Sequence, residues 1–347
     1  MKVIVTGGAG FIGSHVVDAL LLEGHEVTVV DNLVTGDLKN LNVAREMANK
    51  NKKSFRIVEK SVCDKSTWDS LESCDAIFHF AAQTSVTASV SDPDNDFKVN
   101  VLSTQLVCDW VRRNGIRFVL YSNTAGALYG NANEFPTTEQ HLCHPESPYG
   151  ATKLFFESYY SALSKSLKAN QTWSSHPSLK NYNTWASLRL SNVYGPRQVS
   201  KGEAGVIPIF VESFEKLQGP NIFGDGNKTR DYVHVSDVVL AFMEMFKKMQ
   251  QVPVDDYFNV ATSCETTDLG VFETVLKAVV EGSPENCLSQ QSKKALLQVN
   301  PRFASVRPGE VIRSAISFHK IQNAMGWRPR IDFYEGVKST VKYILNQ

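Results

Sequence analysis

Residues 3 to 31 read Val-Ile-Val-Thr-Gly-Gly-Ala-Gly-Phe-Ile-Gly-Ser-His-Val-Val-Asp-Ala-Leu-Leu-Leu-Glu-Gly-His-Glu-Val-Thr-Val-Val-Asp. Val3 to Val5 are β-branched and make a short buried strand. Glycines follow at Gly7, Gly8, Gly10 and Gly13, in the spacing Gly7-x-x-Gly10-x-x-Gly13. The first allows a tight turn, the second leaves the backbone bare, and the third permits a close helix–strand contact. A helix comes next, with Val16, Val17, Leu20 and Leu21 on its buried side and Gly24 near its end. Its N-terminus offers free N–H groups and a positive dipole end to a pyrophosphate. A second strand, Glu26 to Val30, ends at Asp31. Strand, glycine-rich turn, helix and a strand-end acid together form the dinucleotide fingerprint. Asp31 is placed to accept from both ribose hydroxyls of an adenosine. It would repel a 2′-phosphate, so the pattern favours NAD over NADP.

Outward from this unit, strands and helices alternate. Leu41 to Lys53 is a charged, helix-like stretch, and Phe55 to Glu59 reads as a third strand. Ser66 to Leu71 reads as a short helix with Ser66 as its cap. Ala76 to Phe80 is a fourth strand, ending in Ala81-Ala82-Gln83. Small residues there let a flat ligand approach the sheet edge at which open α/β sheets bind ligands. Phe97 to Arg112 is a long helix with Asn100 and Thr104 on one face. Phe118 to Tyr121 is a fifth strand, followed by Ser122-Asn123-Thr124-Ala125-Gly126. The alternation predicts an α/β fold, a doubly wound parallel sheet of Rossmann type.

The next helix, Tyr149 to about Leu167, has two apolar sides. Phe156, Tyr160 and Leu163 lie on one; Phe155, Tyr159 and Ala162 lie on the other. A surface helix needs one apolar face, so the second is expected to meet a partner subunit. Together with the helix after Asn100 it would build a homodimer through four helices. Lys168 to Thr184 is a polar insertion, and Trp185 to Leu190 restores a strand. From Ser191 onward the elements are short and broken by Pro196, Pro208, Gly219-Pro220 and Gly224-Asp225-Gly226. We expect a dinucleotide-binding domain over 1–190 with a return segment at 232–262. A smaller mixed α/β lobe over 191–231 and 263–347 would bind the substrate.

The chain has 347 residues, with 36 basic and 36 acidic side chains. That balance argues against nucleic acid or an anionic membrane surface as partner. No apolar run is long enough to span a bilayer. The first strand starts almost at once, leaving no room for a signal peptide, so a cytoplasmic protein is expected. Cys63, Cys74, Cys108, Cys143, Cys264 and Cys287 are scattered and read as reduced thiols. His141 and His144 flank Cys143, between Pro136 and Pro145, but no second ligand pair accompanies them. The segment reads as a solvated loop, and no metal is expected.

Tyr149 and Lys153 stand four apart in Tyr-Gly-Ala-Thr-Lys, which puts both side chains on one helical face. A free tyrosine titrates near pH ~10. A neighbouring ammonium and a positive nicotinamide ring would stabilise the phenolate and let it act as a general base. Thr124, at the end of the fifth strand, supplies a hydroxyl that can bridge the phenol and a substrate hydroxyl.

The sequence resembles the extended short-chain dehydrogenases/reductases, and within them the nucleotide-sugar 4-epimerases. Matching segments run from Thr6-Gly7-Gly8-Ala9-Gly10-Phe11-Ile12-Gly13 through His79 to Gln83, Asn100 to Thr104, Thr124 to Gly130 and Tyr149 to Lys153. Later ones are Arg189 to Arg197, Gly224-Asp225-Gly226, Arg230 to Val235, Arg307 to Glu310 and Gly326-Trp327. The resemblance implies a tightly held NAD that is used and restored while C4 of a UDP-hexose is inverted. It implies Thr124, Tyr149 and Lys153 as catalytic residues. It carries cofactor contacts to Gly7, Gly10, Phe11, Ile12, Gly13, Asp31, Asn32, Ser61, Val62, Phe80, Ala81, Ala82, Gln83, Asn100 and Ser122, besides Tyr149 and Lys153. It carries substrate contacts to Thr84, Thr124, Asn192, Val206, Arg230, Tyr232, Arg307, Glu310 and Ser314. The two arginines match pyrophosphate contacts, which guanidinium forks suit.

Several positions depart from relatives. Sugar 4,6-dehydratases follow the hydroxyl residue with Asp-Glu, and the decarboxylases use Ser-Glu; here Ala125-Gly126 stand there. Ser61 occupies a place where relatives carry an acid near the adenine. Gln83 and Thr84 replace the lysine that some epimerases carry beside the nicotinamide ribose. Ser314 aligns with a pocket site where some relatives carry tyrosine, leaving room for an N-acetyl group. Other readings are a uronate or pentose epimerase, a net reductase, or a non-catalytic dinucleotide sensor.

Overall fold

Alternate residues of the first strand bury on opposite sides. Val3 and Val5 enter one hydrophobic core, and Ile4 enters another. That two-sided burial is what a parallel sheet covered on both faces requires. The computed structural model describes residues 1–169, 183–199, 205–282, 289–306 and 311–346. The first half of the chain runs β1 (Lys2–Thr6), α1 (Phe11–Leu22), β2 (Glu26–Asp31), α2 (Asn42–Asn51), β3 (Phe55–Glu59), α3 (Lys65–Asp69) and β4 (Ala76–His79). Two short helices, α4 (Val86–Ser91) and α5 (Pro93–Phe97), lead through a π-helical turn at Lys98–Leu102 into α6 (Ser103–Asn114). Then come β5 (Phe118–Thr124), α7 (Ala125–Tyr129), α8 (Pro148–Ala169) and β6 (Thr184–Leu190).

The second half is built of β7 (Asn192–Tyr194), α9 (Val206–Glu215), β8 (Asn221–Phe223), β9 (Thr229–Arg230), β10 (Tyr232–His234), α10 (Val235–Gln251) and β11 (Asp255–Val260). It closes with β12 (Thr266–Thr267), α11 (Asp268–Gly282), α12 (Gln290–Leu296), β13 (Arg302–Ala304), α13 (His319–Met325) and α14 (Phe333–Leu345).

Seven strands form one parallel sheet in the order β11-β6-β5-β4-β1-β2-β3. The order reverses between β1 and β4, as in a Rossmann sheet. One face is covered by α1 and α10, where Phe242 and Phe246 meet Phe78 at ring distances of 6.3 and 5.2 Å. On the other face, Tyr121 of β5 stacks on Phe156 of α8 at 3.7 Å, and Phe156 stacks on Tyr160 at 5.3 Å. This aromatic column fixes α8 against the sheet. A third core joins α9, α11 and α14 around Tyr194 and Tyr232.

Details differ from the sequence expectation. The long helix expected from Phe97 is three pieces, beginning at Pro93, because the π turn interrupts it. Ser66 lies inside α3, whose N-cap is Asp64. Tyr232–His234 pairs with Asn192–Tyr194 in a small separate sheet, and the chain rejoins the main sheet at Asp255. The insertion from Lys168 lies mostly outside the described residues. Among the described residues no helix is long and apolar enough to cross a membrane. The described cysteines are unpaired, and Cys287 lies outside those residues.

Candidate active site

The strand order reverses between β1 and β4, and it is outside the C-terminal ends of strands at such a switch point that open α/β sheets bind ligands. Gly7 turns with φ +67°, and a Cβ there would stand 2.6 Å from the Ala81 nitrogen. A Cβ at Gly13 would collide with the Gly7 carbonyl oxygen. The glycines thus let α1 descend onto the turn, beside Phe80 to Ala82. No side chain caps α1, and its first turn holds no acid. Its N–H groups near Phe11 and Ile12 and its positive dipole end remain for an anion. This cradle fits a dinucleotide pyrophosphate.

Asp31 closes the cradle at the end of β2 and is only 7% exposed. Its two carboxylate oxygens accept from the Ala9 and Leu33 N–H groups, each at 2.9 Å. An ionised carboxylate has further lone pairs for ribose hydroxyls. Asn32 is exposed and accepts from the Val34 N–H at 3.2 Å. Ser61 and Val62 follow β3, next to β2; Ser61 Oγ accepts from the Cys63 N–H at 3.1 Å, and Val62 is buried. Gly13→Ala is expected to destabilise the chain by about 1–3 kcal/mol through overpacking and to lose co-purified dinucleotide. Thermal unfolding and ultraviolet absorbance of the purified variant measure both; wild-type values for each would refute the close-contact role.

Lys153, on α8, is buried. Its ammonium donates to the Ser122 carbonyl oxygen at 2.7 Å and lies 4.1 Å from the Tyr121 ring centre. Burial pushes it down to about 7, against the pull of Glu157 and Asp96. Burial first, and then the charge of Tyr149 one turn before Lys153, raise the Tyr121 phenol well above its ordinary value. Thr124 is the last residue of β5 and caps α7, accepting from the Ala127 N–H at 3.5 Å. A Cβ at Gly150 would strike the Ala127 carbonyl oxygen, so the glycine after Tyr149 lets α7 and α8 close together. Ala125 is fully buried, and a Cβ at Gly126 would meet open space. His79 bonds Thr6 Oγ1 at 2.6 Å, and burial with the nearby Lys153 pushes it down to about 3, so it is neutral at pH 7.

The Gln83 side chain turns inward. Its Nε2 donates to Ser85 O at 2.9 Å and to Asp96 Oδ1 at 2.7 Å, and its backbone N–H donates to Asn100 Oδ1 at 2.9 Å. Asn100 is buried within the π turn, and Thr84 is exposed.

A second cluster brings together the segments of Asn192, Arg230, Tyr232 and Ser314, four of the residues the resemblance assigns to substrate. Asp231, fully buried between Arg230 and Tyr232, accepts from the N–H groups of Thr262, Ser263 and Ile316 and the hydroxyls of Thr262 and Ser191. Its carbonyl oxygen accepts from the Asn192 N–H at 2.8 Å. One carboxylate therefore ties together the segments carrying Asn192, Arg230 and Ser314. Asn192 is exposed, Arg230 half-buried and Ser314 6% exposed. The Tyr232 ring packs 5.4 Å from Phe333, within the lobe core. Val206 opens α9. Arg307 and Glu310 lie outside the described residues. His141 bonds Leu142 O and Asn133 Oδ1, and the described residues hold no cluster of three metal-ligating side chains.

Five polar residues around these clusters were not singled out from the sequence: Asp96, Thr152, Glu157, Arg189 and Asp231. Arg189 and Glu157 form a buried two-pronged pair, at 3.1 and 2.6 Å. A charge inside the apolar strand Trp-Ala-Ser-Leu-Arg-Leu and another after Leu-Phe-Phe were the available signal.

Fold and site together define an extended short-chain dehydrogenase/reductase. Comparison with known proteins agrees: the family model described as GDP-mannose 4,6 dehydratase matches residues 4–340, and the chain belongs to that family. It is 34% identical to a UDP-glucose 4-epimerase of Mycolicibacterium smegmatis, over 100% of this chain and 99% of the relative. It is similar to the Thermotoga maritima UDP-glucose 4-epimerase solved with UDP-glucose, with a TM-score of 0.84, 33% identity, and 100% and 99% of the two chains covered. The Thermus thermophilus UDP-glucose 4-epimerase solved with NAD gives a TM-score of 0.79 and 34% identity, covering 99% of each chain. A dTDP-glucose 4,6-dehydratase of Actinoplanes sp. is also a relative, 30% identical over 99% of this chain and 97% of its own length.

Proposed function

We propose that this chain is an NAD-dependent UDP-hexose 4-epimerase, working on UDP-Glc/UDP-Gal and, through Ser314, on UDP-GlcNAc/UDP-GalNAc. The observation that carries the reading is the placement of Tyr149, Lys153 and Thr124 around the end of β5, with Ala125 and Gly126 supplying no acid. Water elimination needs a proton donor for the departing hydroxyl, so the arrangement favours inversion over dehydration.

The Gly7–Gly13 turn, the start of α1 and Asp31 would hold NAD, whose nicotinamide would supply a reversible hydride acceptor for C4 of the sugar. Tyr149 removes the proton of the 4-hydroxyl and gives it back. Lys153 holds the phenolate, and Thr124 orients the hydroxyl. Arg230 and Arg307 hold the diphosphate so that the sugar can turn about it. Asn192, Val206, Tyr232 and Glu310 border the nucleotide. Asp31 selects NAD. Residues 1–190 with 232–262 serve the cofactor, and 191–231 with 263–347 serve the nucleotide sugar. Two copies pair through α6 and α8, where Phe155 and Tyr159 stack at 5.1 Å and Tyr159 is 38% exposed; a monomer in sedimentation at micromolar concentration would contradict the pairing.

Incubation of the purified chain with each UDP-sugar, followed by proton NMR, tests the reaction. Both pairs are expected to interconvert with no net NADH. Ser314→Tyr is expected to lose the N-acetyl pair at least tenfold more than the unsubstituted pair, since the added ring fills the space of the acetyl group. Equal effects on both pairs would remove the Ser314 assignment. Stoichiometric NADH consumption would favour a reductase.

A further inference from the structure

Asp96 lies in α5 and is completely buried, yet no described cation stands at salt-bridge distance from it. Burying an unpaired carboxylate is costly, so it needs several donors. Oδ1 accepts from Gln83 Nε2 at 2.7 Å and from Asn100 Nδ2 at 3.1 Å. Oδ2 accepts from Thr152 Oγ1 at 2.7 Å. These donors come from the loop after β4, the π turn, and the helical turn of α8 that immediately precedes Lys153.

The two buried carboxylates near Lys153 differ in one respect. Glu157 acts on Lys153 more strongly than Asp96 does, but it is also held by the Arg189 guanidinium. Asp96 is held by neutral amides and a hydroxyl, and its charge is uncompensated. We propose that Asp96 is a positioning residue: it clamps α8 to the Gln83 loop and the Asn100 turn, and its negative charge faces the Lys153 ammonium and keeps it protonated in its buried seat. The inference rests on the role proposed above for Tyr149 and Lys153. The other groups facing Lys153 are Tyr149 and Glu157 on its own helix, Tyr121 on β5 and His79 on β4. His79 is neutral, and Tyr121 stays protonated.

The local chemistry supplies a clean test. In Asp96→Asn, the amide oxygen can accept from Gln83 and Asn100, and the amide nitrogen can donate to Thr152 Oγ1. That hydroxyl can then donate to the Tyr149 carbonyl oxygen, 3.1 Å away. The variant removes the charge and keeps the hydrogen bonds. Thr152→Val does the opposite, keeping the charge and removing one bond.

The full-length chain, labelled with [ε-13C]lysine, would be titrated by NMR, with the Lys153 resonance assigned from Lys153→Met. In Asp96→Asn the Lys153 midpoint is expected to fall by about one pH unit. In Thr152→Val it is expected to stay within about 0.2 unit, on the same electrostatic argument. The rate of C4 inversion should follow: less ammonium means a less stabilised phenolate, so the acid limb of the pH profile moves upward in Asp96→Asn only. An unchanged Lys153 midpoint in a folded Asp96→Asn overturns the inference. So does a Thr152→Val chain with the same downward shift, which would assign the effect to packing. A lowered midpoint in a chain that inverts no sugar would leave Asp96 as assigned and refute the epimerase reading.

Discussion

Tyr149→Phe is expected to lower the turnover of C4 inversion by about 100- to 10,000-fold, with retained cofactor and thermal stability close to wild type. In the proposed reaction the phenol takes the 4-hydroxyl proton, and Phe removes that oxygen while keeping the ring. Tyr149 stands in the first turns of α8, near Tyr121, and Lys153 follows one turn later over the same Tyr121 ring. Hydride transfer leaves a hydroxyl proton with nowhere to go unless a base receives it. The loss should therefore fall on turnover, with the KM for the nucleotide sugar little changed, because the diphosphate contact proposed for Arg230 lies in the second lobe. Single-turnover kinetics measure it. A tenfold loss or less, or a loss confined to KM, would reassign the base.

Arg189→Met is expected to destabilise the chain by about 3–5 kcal/mol, because it strands the buried Glu157 carboxylate. Arg189 bridges more than that acid. Its Nη1 donates to the Tyr129 hydroxyl at 2.8 Å, and its guanidinium lies 3.8 Å from the Tyr257 ring centre. Tyr129 in turn donates to Asn259 Oδ1 at 2.8 Å. Glu157 also accepts from Asn123 Nδ2 and Ser187 Oγ, at 2.8 and 2.7 Å. The pair thus joins α8 to β5, β6, α7 and β11 beneath the site. Urea unfolding measures the cost. The double variant Arg189→Met/Glu157→Met should recover part of it, because an apolar pair leaves no charge unpaired. A double variant no more stable than Arg189→Met would refute the stranded-charge explanation.

Local chemistry made the first β-α-β unit legible. The glycine spacing, the uncapped helix start and the acid at Asp31 each have a meaning within a few residues. The ends of elements were less legible. β5 runs on through the polar Ser122-Asn123-Thr124 because it pairs with Leu188, Arg189 and Leu190 of β6, a partner far off in the chain. The π turn at Asn100 left no trace in the apolar pattern. Among the site residues, Asp96 was the hardest to find. It ends the run Ser-Asp-Pro-Asp-Asn-Asp, which has the composition of a solvated loop. Burial comes only when Gln83 and Thr152 arrive from other elements. Gln83 shows the converse: its place after β4 was legible, but the inward turn of its side chain depends on that same carboxylate.

In the proposed reaction a C4 hydride leaves the sugar and returns to it within one active site. The direct measurement is to incubate the purified chain, without added cofactor, with UDP-[4-2H]glucose and to locate the deuterium in the product. UDP-galactose with deuterium still at C4, and no label in solvent, is the expected result. UDP-galactose carrying hydrogen at C4 would contradict it, because the hydrogen would then have exchanged as a proton.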